Sequence, residues 1–125
     1  MGHSAGQRTI LVVEDEPLIR MDAVATLEDA DFLVLEAKDS DEALRMLARH
    51  YKISVLMTDV RMPGVMDGLA LVAHVCIAYP AVCSLVVSAN ASGIQAKNAG
   101  ALGFLAKPYT AGAMVQAVHE TVLRH

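Results

Sequence analysis

The segment Ile53–Asp59, with the sequence ISVLMTD, is an apolar run that ends directly in a carboxylate. The run ILVV at residues 10–13 is likewise followed at once by acids, at positions 14–16. An apolar run that leads straight into acid is typical of a buried parallel strand that delivers a carboxylate to the carboxyl edge of a sheet. Ser88 and Lys107 end two further runs, so the sequence predicts one site built from four strand ends. Acids crowded at such an edge repel one another unless a cation joins them.

Composition indicates one folded domain. The 125 residues fit a single domain, and a hydrophobic content of 54% indicates a well-filled core. No apolar run approaches the roughly 18 residues of a membrane span, and no secretory signal pattern opens the chain, so we expect a cytoplasmic protein without membrane contact. The net charge of −4 and the lack of a basic run argue against direct nucleic-acid binding. Cys76 and Cys83 lack metal-ligand spacing and are predicted to be buried thiols in a reducing cytosol.

Apolar runs alternate with segments of helical period, which predicts an α/β domain with a parallel sheet. The predicted strands are residues 9–13, 33–37, 53–58, 82–87 and 104–106. Residues 1–8 are expected to form a flexible tail, and residues 9–125 a single domain. From residue 90 to residue 103 there are three glycines and few periodic apolar positions. We therefore expect that the fourth helix is short or irregular and that this segment is mobile.

The first helix is bounded by residues with clear conformational preferences. Pro17 suits the first turn of a helix in which Ile19, Ala23 and Leu27 share the buried face. This helix should end near Asp31, which we expect to adopt the left-handed conformation that is more usual for glycine.

Capping residues mark three later helices. Asp39 followed by Glu42 predicts a capping box at the start of the second helix. Pro80 blocks continuation of the third helix, and Thr110 can cap the last one.

These elements predict a doubly wound α/β fold with five parallel strands and helices on both faces, and we take the flavodoxin-like strand order 2-1-3-4-5 as the working hypothesis. Such sheets bind ligands beyond the carboxyl ends of the strands, at the point where the winding direction switches. Here that point lies between strands one and three and is flanked by Asp15 and Asp59. Oxygen ligands of this kind favour a hard cation, namely Mg²⁺. Lys107 would arrive from strand five as a positive charge near Asp59, and Ser88 would supply a hydroxyl.

Five short motifs carry a resemblance to a known family. They are Glu14-Asp15, Asp59, the pair Met62-Pro63 and Asp67-Gly68, Ser88-Ala89, and Lys107-Pro108. In this order and spacing they resemble the receiver domain of two-component response regulators, the CheY-like superfamily, over nearly the whole chain. Glu14 departs from the commoner Asp, the loop at residues 62–68 is one residue longer than in the chemotaxis-type receiver, and the interval from Ser88 to Lys107 is shorter. The last two features resemble single-domain receivers with a reduced fourth helix.

The resemblance implies a role for each acid at the site. Asp59 would be the phospho-acceptor, which takes a phosphoryl group from the phosphohistidine of a sensor histidine kinase or of a phosphotransfer protein. Asp15, Asp59 and the backbone carbonyl of Arg61 would ligate Mg²⁺, with Mn²⁺ as a substitute. Glu14 would contact the metal through a water molecule.

The resemblance also implies a switch. Ser88 would hydrogen-bond the phosphoryl group, and Lys107 would pair with it. Phe104 matches the family's switch aromatic and would rotate into the space that Ser88 leaves. The Lys107–Pro108 peptide bond is expected to be cis. The surface that responds would comprise strand four, residues 90–103, strand five and the last helix.

The predicted function is that of a single-domain response regulator in phosphorelay signal transduction, which switches a protein-interaction surface. It would catalyse only its own phosphorylation and dephosphorylation, so it is not expected to be an enzyme with an outside substrate. The sequence ends just after the fifth predicted helix, so no output domain is expected, and the downstream target stays open.

Three alternatives accompany this prediction. A haloacid-dehalogenase-like phosphohydrolase also uses a strand-end Asp, but it needs a second Asp two positions later, where Arg61 stands. A flavodoxin-like nucleotide binder needs a glycine-rich phosphate loop after strand one, which this sequence lacks. A degenerate receiver that acts only as an interaction module is disfavoured by the intact set of acids, Ser88 and Lys107.

Overall fold

The computed structural model describes residues 7–90 and 93–125. One sheet of five parallel strands has the order β2-β1-β3-β4-β5, which confirms the predicted fold class and strand order. The strands are β1 (Thr9–Val13), β2 (Leu33–Ala37), β3 (Ile53–Asp59), β4 (Cys83–Ser88) and β5 (Gly103–Ala106). The helices are α1 (Pro17–Asp29), α2 (Ser40–Arg49), α3 (Gly68–Ala78), α4 (Gly93–Ala99) and α5 (Ala111–Leu123).

The central strands are buried on both faces because their side chains alternate between two apolar clusters. In β1, Leu11 and Val13 belong to one cluster, while Ile10 and Val12 belong to the other. Residues of α2, α3 and α4 complete the first cluster, and residues of α1 and α5 complete the second. The near-continuous apolar runs of the sequence are therefore explained by a three-layer packing that leaves neither face of the central sheet in water.

The helix boundaries follow from the residues that were expected to set them. Pro17 opens α1, and Asp31 has a φ of 70°, the left-handed conformation predicted after this helix. Asp39 accepts a hydrogen bond from the N–H of Glu42 at 2.9 Å. The Glu42 carboxylate accepts from the N–H of Lys38 at 2.8 Å, so the capping box closes one residue earlier than in its usual form.

The fourth helix is short, as predicted, with seven residues. The predicted mobility of residues 90–103 stays a prediction, and residues 91 and 92 lie outside the described part. Most of the predicted flexible tail, residues 1–6, also lies outside it. Gln7 is described, and its side chain donates to the Asp31 carbonyl at 3.0 Å. Within residues 7–90 and 93–125, no helix is long and apolar enough to cross a membrane.

Two burial predictions are wrong. Ala23 and Leu27 are buried, but Ile19 is 40% exposed, because it lies in the first turn of α1 and lines a surface cavity beside Tyr109. Cys83 is a buried free thiol, whereas Cys76 is free and exposed. The Cys76 side chain lies next to Gly100, the residue after α4, where a Cβ built on the glycine would be 2.9 Å from Sγ.

Gly68 allows α3 to begin against the backbone of β3. A Cβ atom added at this position would overlap the carbonyl oxygen of Asp59 and lie 2.8 Å from the Cα of Val60. The N–H of Gly68 donates to the Val60 carbonyl at 2.8 Å, which closes the loop of residues 60–67 directly onto the strand end. The position of Asp59 therefore depends on the absence of a side chain at residue 68.

We expect that Gly68→Ala lowers the free energy of unfolding by about 2 kcal/mol, because the added methyl group must displace backbone. Gly112→Ala is the matched control, since Gly112 lies in α5 and nothing is within 4 Å of an added Cβ. The control should be neutral or stabilising by up to about 1 kcal/mol. Urea denaturation followed by circular dichroism measures both changes, and equal stabilities of the two variants would contradict this account of Gly68.

Candidate functional site

Four strand ends meet at one edge of the sheet. β1 and β3 pair in register up to their ends, so Glu14 emerges beside Asp59. β3 pairs with β4 through Asp59 itself. β4 pairs with β5 through Ser88, so Lys107 emerges next to it. The parallel topology thus gathers side chains that lie far apart in the sequence, as the strand pattern predicts.

Lys107 joins the two carboxylates. Its Nζ donates to Oδ2 of Asp59 at 2.6 Å and lies 3.7 Å from Oε1 of Glu14. The side chains of Asp59 and Glu14 are only 12% and 9% exposed, so solvent screens their repulsion weakly. The backbone N–H of Lys107 donates to the carbonyl of Ser88 at 3.0 Å, which ties the lysine to the end of β4. This cluster of one ammonium and two carboxylates is the electrostatic centre of the site.

Burial and neighbouring charges shift the titration of this cluster. Burial is the main cause that raises the pKa of Glu14 from 4.5 to about 7, and the adjacent Asp59 acts in the same direction. The N–H of Glu16, which donates to Glu14 at 3.0 Å, and the charge of Lys107 oppose the rise. For Lys107, burial alone would lower the pKa, but the hydrogen bond to Asp59 and the two negative charges outweigh it, so its pKa is raised. Glu14 therefore changes charge near neutral pH, while Lys107 stays cationic.

Asp15 and Arg61 lie at the same edge but are exposed. The N–H of Arg61 donates to Oδ1 of Asp59 at 3.3 Å. It is Glu14, the residue before Asp15, that turns inward to share Lys107 with Asp59. Among residues 7–90 and 93–125, no three His, Cys, Asp or Glu side chains are grouped closely enough to hold a metal ion. The predicted metal-ligand set stays a prediction.

Ser88 and Phe104 connect the site to α4. Ser88 is 4% exposed, and its Oγ accepts a hydrogen bond from the N–H of Asn90 at 3.1 Å, which shapes the start of the loop after β4. Phe104 is partly buried on the face covered by α2, α3 and α4. Its ring lies 3.9 Å from a Cβ built on Gly93, the first residue of α4. The peptide bond between Lys107 and Pro108 is cis.

Tyr109 contributes to the site and was not anticipated. With Ile19 it lines both a small internal cavity beside Glu14 and Asp59 and a surface cavity of about 540 Å³ next to α1. Burial raises the pKa of the Tyr109 hydroxyl. Lys107 also lines the surface cavity, so Tyr109 and Lys107 both lie between this surface and the strand ends that carry the two carboxylates. The only sequence sign was an aromatic residue two positions after Lys107, which is too common a pattern to carry a prediction.

Arg20 holds the loop after β1 and was also missed. Its Nη1 donates to the carbonyl of Glu14 at 2.7 Å, and its Nε pairs with Glu36 at 3.2 Å. These two contacts tie the first turn of α1 to the end of β1 and to the edge strand β2. Helical spacing places Arg20 on the polar side of α1, but it does not reveal which carbonyl the guanidinium reaches.

Comparison with known proteins decides the family. The sequence model for the response regulator receiver domain matches residues 10–119. The chain belongs to this family. The receiver is a signalling domain of two-component systems and not a typical enzyme. Receiver domains take phosphoryl groups from histidine kinases or phosphotransfer proteins and generally depend on Mg²⁺. The comparisons give no support to the phosphohydrolase or to the degenerate-receiver alternative.

This receiver is similar to parts of longer proteins. It is 34% identical over 126 aligned positions to the transcriptional regulatory protein PdtaR of Mycobacterium tuberculosis, covering 97% of this chain and 60% of PdtaR. It is 32% identical over 120 positions to the sensor kinase CckA of Brucella abortus, covering 93% of this chain and 13% of the kinase. The crystal structure of a receiver domain protein from Clostridium thermocellum matches with a TM-score of 0.86 at 28% identity, covering 94% of this chain and 95% of that one.

We expect that the Glu14 carboxyl group makes the stability of this receiver depend on pH. Its folded pKa of about 7 lies above the ordinary 4.5, so the unfolded chain releases this proton first as the pH rises. The contribution of Glu14 to the free energy of unfolding should therefore fall between these two values and level off above them. Glu14→Gln cannot ionise, so it should gain stability over wild type in this interval and keep the gain at higher pH.

Urea denaturation of both proteins across this pH range, with EDTA present, measures the difference. Glu120→Gln is the control, because Glu120 is exposed on α5 and should show no such gain. A stability difference between wild type and Glu14→Gln that does not change with pH would contradict the raised pKa.

Proposed function

We propose that this receiver accepts a phosphoryl group on Asp59 in a Mg²⁺-dependent step, from a histidine kinase or a phosphotransfer protein. The observation that carries the proposal is the fixed position of the Asp59 carboxylate at the end of β3. One oxygen is bound by Lys107 at 2.6 Å, and the other accepts from the N–H of Arg61 at 3.3 Å. A carboxylate held in this way is a competent nucleophile whose acyl phosphate is labile enough for a reversible signal.

In the proposed reaction, the phosphoryl group moves from a nitrogen of the donor's imidazole to an oxygen of Asp59. An oxygen of Asp59 forms a bond to phosphorus, while the bond from phosphorus to the imidazole nitrogen of the donor's phosphohistidine breaks and the imidazole leaves. The transition state is loose and in line, so the site contributes mainly by positioning and by neutralising charge. Lys107 supplies a positive charge next to the reacting carboxylate. After the transfer, it would pair with the phosphoryl oxygens.

The charge balance supports a divalent cation at this site. Lys107 offers one positive charge against the carboxylates of Asp59 and Glu14, and phosphorylation adds a charge of about −2. The available donors are carboxylate and carbonyl oxygens, which suit Mg²⁺. Asp15, Asp59 and the Arg61 carbonyl would hold the ion directly, and Glu14 would hold it through water. The ion would neutralise charge on the phosphoryl oxygens.

The phosphoryl group would also pull on β4 and β5. Ser88 Oγ accepts from the Asn90 N–H, so turning the hydroxyl toward Asp59 would disturb that turn and shift the loop toward α4. The Phe104 ring lies 3.9 Å from a Cβ built on Gly93 and would move into the space released. We therefore assign the switched interaction surface to β4, α4, β5 and α5.

The cation and Lys107 would also assist the loss of the phosphoryl group by hydrolysis. Water attack on phospho-Asp59 would use the cation and Lys107 in the same way, so the protein would promote only its own phosphorylation and dephosphorylation. We place this chemistry in the cytoplasm, with residues 9–125 as the receiver. The downstream target is a protein that recognises the switched surface.

Intact-mass measurement after incubation with acetyl phosphate and Mg²⁺ tests the assignment of Asp59. Wild type should gain the mass of one phosphoryl group, because the carboxylate is positioned to attack the donor. Asp59→Asn should gain none. Asp41→Asn is the matched control, since Asp41 is an exposed carboxylate in the first turn of α2, and it should behave like wild type.

The metal dependence is measured in the same assay. EDTA should prevent the gain of mass, and Asp15→Asn should raise the Mg²⁺ concentration required at least tenfold, in line with the loss of a direct carboxylate ligand. If Asp59→Asn still gained the mass, Asp59 would not be the acceptor. If wild type were fully labelled in EDTA, the step would not require the metal.

Amide chemical shifts test the switch. With Mg²⁺ and beryllofluoride as a stable phosphoryl mimic, the amides of residues 93–106 should shift in wild type, because Ser88 and Phe104 move together. In Ser88→Ala, Asp59 should still bind the mimic, but the shifts in α4 should fall by more than half. The amides of α2 provide the internal control and should change little. Equal α4 shifts in both proteins would contradict the coupling through Ser88.

A further inference from the structure

A second cavity lies along the edge strand β2, near the amino ends of the strands. Its volume is about 450 Å³. Residues 32–35 form an apolar wall, and Arg49 and Lys52 stand beside it. The cavity is at the opposite end of the sheet from Asp59, which ends β3. The proposed phosphoryl transfer would not use it.

Within residues 7–90 and 93–125, β2 is the terminal strand of the sheet, and no strand pairs with its outer edge. The N–H of Leu33 and the carbonyl of Ala37 form hydrogen bonds on the side of β1, at 3.0 Å each. Backbone groups of successive residues point to opposite sides of a strand, so Leu33, Leu35 and Ala37 are directed toward β1. The peptide groups of Val34 and Glu36 are therefore directed away from the sheet.

The two halves of this edge are protected differently. Natural edge strands are usually guarded by charged side chains that discourage pairing with another chain. The carboxyl half of β2 carries Glu36, which pairs with Arg20 at 3.2 Å. The amino half carries only apolar side chains, and Leu33 is 50% exposed. The amino half of β2 is therefore the least protected part of this edge, at which an added strand would begin to pair before extending to the backbone of Glu36.

Cations stand next to this unguarded half. Arg49 ends α2, Lys52 precedes β3, and both are exposed. Within the described ranges 7–90 and 93–125, neither forms an ion pair shorter than 4.0 Å. The other side of the cavity belongs to α1 and the residues after it, including Phe32 and Glu28. Among the described residues that line it, the cavity thus has two cations, neither in a close ion pair, against the single carboxylate of Glu28, and this excess of positive charge beside an apolar strand edge favours an acidic partner.

We propose that this cavity binds an extended acidic segment of a partner protein, which adds a strand to β2. Main-chain hydrogen bonds to Val34 and Glu36 would hold the segment, as in other cases of strand addition. Side chains of a strand alternate between its two faces. Apolar side chains of the segment would lie on the α1 side, against Phe32. Its carboxylates would lie on the α2 side, within reach of Arg49 and Lys52.

The probe for this site is a capped hexapeptide of alternating valine and glutamate, titrated into ¹⁵N-labelled protein. We expect saturable shifts in residues 32–36 and at Lys52. Hydrogen exchange of the Val34 and Glu36 amides should slow in the complex, because they would donate to the peptide. The Leu33 and Leu35 amides already face β1 and are the internal control. The same peptide with lysine in place of glutamate should bind at least tenfold more weakly.

Charge reversal tests the cations. Lys52→Glu should weaken binding of the glutamate peptide roughly three- to tenfold, the range expected for a surface charge pair that becomes repulsive. Lys97→Glu makes the same change in net charge at an exposed lysine of α4, outside the cavity, and should leave the affinity within twofold of wild type. Asp59→Asn should also bind like wild type, which separates this site from the proposed phosphorylation.

Three results would overturn the proposal. One is equal affinity for the glutamate and lysine peptides. Another is binding without slower exchange at Val34 and Glu36, which would exclude strand addition. The third is a doubled mass in light scattering, with the shifts in residues 32–36 present before any peptide is added, because the edge would then be occupied by a second copy of this chain.

Discussion

The ion pair between Lys107 and Asp59, shared with Glu14, is the interaction on which the site depends. It joins the ends of three different strands through contacts of 2.6 and 3.7 Å. Two nearly buried carboxylates at this distance from one ammonium are stable only if β1, β3 and β5 keep their relative positions, since a lost partner leaves an uncompensated buried charge. The apolar clusters on both faces of the sheet supply that rigidity. The core therefore fixes the geometry that the charges require.

The same cluster gives a physical reason to expect that the site would respond to added charge. One lysine faces two acids, and burial together with the adjacent Asp59 raises the pKa of Glu14 to about 7, so a second full negative charge is disfavoured at this site. Further negative charge has to recruit new donors or move existing ones. Ser88 and Phe104 connect the cluster to α4, the shortest of the described helices. The proposed phosphoryl transfer would thus take place at one end of the sheet, and the proposed strand addition at the opposite end.

Much of the fold follows from local sequence. The bounds of β1, β2 and α1 agree with the predicted ones, since apolar runs and residues such as Pro17 and Asp31 have strong local preferences. The errors concern exposure. Ile19 has the spacing of a core residue, but it lines a surface cavity in the first turn of α1, and Cys76 lies where α3 meets the residues after α4. Periodicity defines a helix face, but not which part of that face another element covers.

The sequence by itself determined which strands end in reactive side chains, and hence that Glu14, Asp59, Ser88 and Lys107 share one edge. Only the tertiary structure decided that Glu14 and not Asp15 turns inward, because adjacent acids have the same sequence pattern and differ only in what packs around them. It also decided the raised pKa of Glu14 and the place of Tyr109. These properties depend on burial and on distances between strands, and such quantities exist only once the chain is folded.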